Sequence, residues 1–224
     1  MADWLSYSLQ DLLLFSKEIY LQLFSTFNAS LWPIQVPLIL LWLATLCCWY
    51  FKEKRLLLII MLCFAWLFSG LGFVQGQYAQ INWAADYLMW GFLLQALLLL
   101  SLAPMSSSHA AKGPLAYLGI GLICYGLLLR PTLQWLIYQN INAAELAGLF
   151  PTPTIILTLG VLMLMSAPFY LWLLPSILLI IDSLTWHTLQ SPWWWEGVVI
   201  LATLVPLMLF TQQGQTPEQA KSCP

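Results

Sequence analysis

Long stretches of this chain carry almost no charge, and that limits what it can fold into more than anything else about it. Apolar runs of about 17–25 residues recur from Leu31 to Phe210, each long enough to cross a hydrocarbon core of about 30 Å. Charged residues fill 7 % of the 224 positions and hydrophobic ones 61 %, where a soluble domain carries roughly a quarter charged. The predicted class is therefore an all-α, polytopic transmembrane helix bundle. The formal net charge of −2 leaves no clustered basic surface for phosphate, so nucleic acid is not an expected partner.

Seven segments read as spans: Leu31–Phe51, Arg55–Val74, Trp83–Ala103, Pro114–Tyr138, Pro151–Ala167, Phe169–Trp186 and Trp193–Phe210. Ahead of them, Leu5, Leu9, Leu12, Ile19, Leu23 and Phe27 recur at helical spacing, while Asp11, Lys17, Glu18 and Gln22 interrupt the run. Charges at the centre of a span cost about 2.5–3.5 kcal/mol each on the insertion scale. An amphipathic helix in the interface avoids that cost; an eighth, poorer span is the alternative. The organisation predicted is an N-terminal amphipathic helix within residues 1–30, a seven-span bundle over 31–210 and a short tail over 211–224, one domain in all. Met1-Ala2-Asp3-Trp4 lacks a basic n-region, so no signal peptide is expected.

Basic residues set the expected orientation. With the Lys52-Glu53-Lys54-Arg55 turn in the cytoplasm, alternation places Lys112 and Lys221 there too, five of the seven basic residues. The N-terminal helix then lies outside and the C-terminus inside. Trp32, Trp83, Trp135, Tyr138, Trp186 and Trp193-Trp194-Trp195 mark the outer boundary, and Trp49, Tyr50, Tyr170 and Trp172 the inner one, where amphipathic rings prefer to sit. Pro175 and Pro206 fall inside spans, which must kink or rely on neighbours for the freed carbonyls. Gly72 and Gly76 form a small-xxx-small pair suited to close helix approach.

Ionisable groups inside a membrane are functional candidates by default. Arg130 lies about 24 Å along the fourth segment and Asp182 about 20 Å along the sixth, at 1.5 Å per residue. Both helices run outward, so the two are expected at similar depth as an intramembrane pair, with Arg130 snorkelling as the alternative. A polar outer face collects Gln77, Asn82, Asp86, Gln134, Glu145 and His187, which could line a wet vestibule or be ordinary loop polarity. Ser183 and His187 stand one turn apart, but Asp182 points to a different helix face, and a working nucleophile also needs an oxyanion hole. Cys47, Cys48 and Cys63 have no nearby His to complete a metal site, which leaves single-His haem ligation as the alternative. Neither catalysis, cofactor nor metal is expected. Asn28-Ala29-Ser30 matches a glycosylation sequon.

Three stretches carry a resemblance. Phe24-Ser25-Thr26-Phe27-Asn28-Ala29-Ser30-Leu31-Trp32-Pro33-Ile34-Gln35, Ala79-Gln80-Ile81-Asn82-Trp83-Ala84-Ala85 and Gly148-Leu149-Phe150-Pro151-Thr152-Pro153-Thr154 together resemble a bacterial membrane-protein family catalogued as domain of unknown function 6064. Thr152 stands where the family pattern has Cys, and a His often found ahead of it has no counterpart around Gln139. The resemblance implies a multi-pass inner-membrane protein, sometimes loosely labelled a permease, and supplies no substrate. Intramembrane charge and interrupted helices favour a permease-like handling of a small solute. A non-catalytic accessory or scaffold subunit of a larger membrane complex is the alternative. The bilayer is the one partner the sequence demands; other membrane subunits or a homo-oligomer are open.

Overall fold

The computed structural model describes residues 15–104 and 113–202. The expectations for Leu5–Leu12, Lys112, Pro206 and the tail over 211–224 lie outside the described residues. Within them the chain is helical: α1 (Lys17–Ser30), α2 (Gln35–Lys52), α3 (Arg55–Phe68), α4 (Ala85–Leu100), α5 (Pro114–Cys124), α6 (Arg130–Tyr138), α7 (Pro151–Leu164) and α8 (Tyr170–Thr188). A further helix, α9, covers residues 194–202. Two π-helical turns extend the pattern, Ser69–Gln75 continuing α3 and Tyr125–Leu129 joining α5 to α6. Four helical stretches are long and apolar enough to cross a membrane: Gln35–Lys52, Arg55–Gln80, Leu115–Tyr138 and Tyr170–Thr188. Ala85–Leu100 and Pro151–Leu164 are apolar but shorter.

α7 is the axis of the bundle. Thirteen of its 14 residues, all but Pro151, are buried, so helices surround it on every side. A helix apolar all round belongs in such a place. Its hydroxyls are spent inside the protein: Thr158 Oγ1 donates to Thr154 O (2.7 Å) and accepts the Trp66 indole N–H (2.8 Å). α1 lies across one end. Ser16 caps it by accepting the Ile19 N–H, and hydrogen bonds from its own backbone N–H and from Ser16 hold the Glu18 carboxyl below the usual range. Tyr20, Phe24 and Phe27 form its buried face, while Glu18 points to the exterior. Phe24 meets Phe73 and Phe150 at 5.2 Å between ring centroids, so α1 is docked on the bundle through an aromatic cluster.

The loop before α7 is unusual because residues 143–150 are all buried. Buried non-helical backbone needs a partner for its polar groups, and side chains from four elements provide them. Asn28 on α1 donates to Asn142 O (2.7 Å) and Ala144 O (2.8 Å). Trp42 on α2 donates to Ala147 O at 2.9 Å. The Glu145 N–H goes to Gln134 Oε1 on α6 (2.7 Å), and the Gly148 N–H to Thr154 Oγ1 on α7 (2.7 Å). Gly148 sits at φ +92°, a backbone conformation that favours glycine.

Proline and glycine behave differently from each other. Pro175 leaves α8 unbroken and cannot donate to Leu171 O, and Gln95 Nε2 on α4 fills that acceptor at 3.1 Å. The Gly72–Gly76 pair does not bring two helices together: a Cβ on Gly76 would strike the Gly72 carbonyl of its own turn. The close approaches lie elsewhere. A Cβ on Gly70 would sit 2.6 Å from Phe92 Cβ of α4, and one on Gly160 would sit 2.7 Å from Gly119 O where α5 crosses α7. A pair on two separate helices leaves no spacing signature. Gly160→Val should force the α5–α7 crossing apart, at a cost of about 1–3 kcal/mol. Size-exclusion profiles after detergent extraction should show less monodisperse protein than wild type. Gly121→Val, whose Cβ meets nothing within 4 Å, should leave the profile unchanged.

Candidate functional site

Arg130, Glu145, Glu196 and Asp182 gather at the α1 end of the bundle. Arg130 follows the π-turn that precedes Pro131, a residue that cannot continue the regular hydrogen-bond ladder. The turn presses Gly126 against α7, where a Cβ would lie 3.1 Å from Pro153 O. The Arg130 side chain is fully buried. Its Nε donates to both oxygens of Glu196 on α9, at 2.9 and 3.1 Å, and Nη1 pairs with Glu145 Oε2 at 2.8 Å. Gln134, one turn along α6, donates through Nε2 to Glu145 Oε1 at 2.6 Å. The guanidinium carbon lies 5.4 Å from the centroid of the Trp193 ring, whose N–H donates to Tyr138 Oη at 2.9 Å. A planar, permanently charged fork suits such a setting; a lysine would not.

The expectation was a direct or water-bridged pair between Arg130 and Asp182, and the direct contacts of Arg130 go elsewhere. Among the described residues Arg130 makes its ion pairs with Glu145 and Glu196, and Asp182 feels it only through space. Helical counting measures depth along an axis. It is blind to a loop that folds back and to the side of the bundle a later helix occupies. Nothing in the spacing of Glu145 and Glu196 along the sequence marks them as partners of Arg130.

Asp182 occupies a second place. It lines a cavity of about 40 Å³ together with Tyr20, Phe73, Tyr78, Phe92 and Thr185, and Thr152 lies beside its carboxyl. Tyr20 and Tyr78 are 5.4 Å apart between ring centroids, which closes the α1 side. Asn82 donates to Tyr78 Oη at 2.6 Å and accepts the Ala84 N–H. One guanidinium therefore faces three carboxylates in this region: two are bonded to it and the third lines the cavity.

The six residues expected around one vestibule are dispersed. Gln134 and Glu145 are buried in the arginine cluster. Asn82 braces Tyr78, Gln77 is half-buried in the preceding turn, and Asp86 is exposed on α4. His187 is exposed, with its ring edge-on to Trp194 at 5.3 Å. Ser183 donates to Leu179 O at 2.8 Å and faces Gly197, where a Cβ would run into its hydroxyl, so it is turned away from His187. Among the described residues no three His, Cys, Asp or Glu side chains are grouped to hold a metal ion; buried Cys63 donates to Ala96 O instead. The asparagine of the sequon match has a structural role. Asn28 is buried and holds the loop before α7, and Gln35 donates to Asn28 O (2.8 Å) and Oδ1 (3.0 Å).

Helices of this length and polarity, packed about a wholly buried axis, define a multi-pass membrane protein with an all-α fold. The chain belongs to the family of unknown function DUF6064, whose model matches residues 17–218. No curated protein and no solved structure matches it. All three motifs that carried the family resemblance converge on this end of the bundle. The first supplies Asn28 and Gln35, the second Asn82, and the third Gly148 and Thr154.

Arg130→Met should leave Glu145 and Glu196 buried without a counter-charge, at a cost of about 3–5 kcal/mol. Thermal unfolding in detergent should show a lower midpoint for this variant than for Asp182→Asn. Adding Glu145→Gln and Glu196→Gln to Arg130→Met should recover part of the loss.

Proposed function

We propose that the protein is a permease-like membrane protein that takes a small solute into its bundle from the α1 end. It would do so with seven crossings of a bacterial inner membrane, the α1 end outside and the C-terminus in the cytoplasm. One observation carries the reading: Asp182 lines an interior cavity, and the one buried arginine nearby is already held by two other carboxylates. A carboxylate inside a membrane bundle is costly. This one is not needed to pair Arg130, which leaves solute handling as its role. The π-turns in α3 and α5 add to this, since such turns recur at functional sites.

A second reading has its own observation. α2 buries only Trp42 and Thr45 and presents an otherwise apolar surface, which would suit packing against another membrane subunit or a second copy. Lipid fits that surface equally well, so the cavity decides the preference.

Two measurements test the proposal in a variant lacking all five cysteines. A cysteine at Thr185 should react with a small thiol reagent added outside intact cells and resist a bulky maleimide. Failure of both reagents to reach it in folded protein would remove the solute reading. A cysteine at Lys54 should escape an impermeant maleimide until the cells are permeabilised. Labelling before permeabilisation would reverse the orientation.

A further inference from the structure

We infer that the groove between α2 and α6 holds one acyl chain of a zwitterionic phospholipid, drawn from the bilayer leaflet on the α1 side. The site is separate from the Asp182 cavity and does not rest on the solute reading. Buried Leu127 of the π-turn and Leu146 of the loop before α7 lie at its base. Val36 of α2, Leu128 of the π-turn and Trp135 of α6 lie along its exposed rim. The groove measures about 220 Å³, and an apolar cavity of about 150 Å³ already takes up benzene. A segment of hydrocarbon chain therefore fits.

The lining suits hydrocarbon better than water. None of the described residues that form it is charged, and its polar side chains already have partners. Thr132 donates to Leu128 O at 2.7 Å within its own helix. Asn28 donates to two carbonyls of the buried loop, and Gln35 donates to Asn28. An acyl chain can enter such a surface without leaving a buried polar group unmet.

Position identifies the source. Gln35–Lys52 and Leu115–Tyr138, which flank the groove, are both long and apolar enough to span a bilayer. Leu128 lies about 15 Å from the Tyr138 end of its stretch, at 1.5 Å per residue, so the inner part of the groove reaches hydrocarbon depth. The rim is continuous with the lipid-facing surface of α2, whose buried residues are Trp42 and Thr45. Trp32 and Trp135 stand toward the helix ends, where amphipathic rings meet head groups. The groove is thus polar at one end and apolar along its length, as a phospholipid is. With no Lys or Arg in the described lining, an anionic head gains no ion pair there, and a zwitterionic head is the match.

The wild-type full-length protein serves for the test. Cells are supplied with a fatty acid that carries a photoreactive diazirine and build it into their phospholipids. The protein is purified in mild detergent, which strips loosely held lipid, then irradiated and digested, and adducts are located by mass spectrometry. Adducts should concentrate within residues 32–39 and 127–135 and carry zwitterionic heads. Val36→Trp, which fills the groove from its rim, should lose most of the adduct. Leu40→Trp, on the exposed surface of α2 outside the lining, should keep it. Should Val36→Trp not fold, Leu128→Trp takes its place. Adducts spread evenly along α2, a yield that survives in the folded groove variant, or enrichment of anionic lipid at the groove would each overturn the site. Absence of any groove adduct would overturn it too, and a dimer in native mass spectra of the same sample would then assign the groove to a second copy.

Discussion

The buried loop over residues 143–150 sets the terms for the structure around it. Backbone outside a helix keeps N–H and C=O groups that a bundle interior cannot leave unpaired, and each unmet group costs free energy on the scale of a lost hydrogen bond. Asn28, Trp42, Gln134 and Thr154 meet that demand from four different helices. Each is thereby held in place. α1 cannot lift away without exposing the Asn142 and Ala144 carbonyls, and α2 is tied through Trp42, one of its two buried residues. α1 is thus part of the bundle's architecture.

The same loop delivers Glu145 to Arg130, so the electrostatics of this end depend on it. A fully buried guanidinium requires counter-charges inside the protein, and Glu145 from the loop and Glu196 from α9 supply them. Gln134 links the backbone and charge networks by bonding both the N–H and the carboxylate of Glu145. Contacts shared among α6, the loop and α9 in this way tie those elements to one another. Asp182 stands outside the network, in a cavity walled partly by Tyr20 of the docked helix. The fixed charges and the cavity are neighbours with separate roles.

Away from that end, contact between helices relies on small residues and on polar side chains that answer particular backbone groups. Lipid is as apolar as leucine, so burying leucine against leucine gives little drive for association in a membrane, and close fit matters more. Gly119 against Gly160 and Gly70 against Phe92 provide that fit. Gln95 supplies a donor to the carbonyl that Pro175 leaves free. The Ser101 and Tyr170 hydroxyls meet at 2.7 Å at the opposite end.

What the sequence determined by itself was the class of protein and the position of its helices. Hydrophobicity is a local property of each segment, and a bilayer allows few answers to it. Every predicted span overlaps a helix, and the three family-like motifs stood out before any contact was known. The tertiary structure decided which residues meet. Arg130 and Asp182 were recognisable as costly charges, yet their partners depended on a loop turning inward and on the side of the bundle that α9 occupies. Asn28 stood out only as part of a sequon match, because its role lies more than a hundred residues away, at two carbonyls of a buried loop. Gly119 and Gly160 carried no signal, since a close approach between helices distant in sequence has no period. Depth along a helix follows from residue number at a fixed rise. Azimuth and long-range contact depend on how the other helices pack, and no single segment records that.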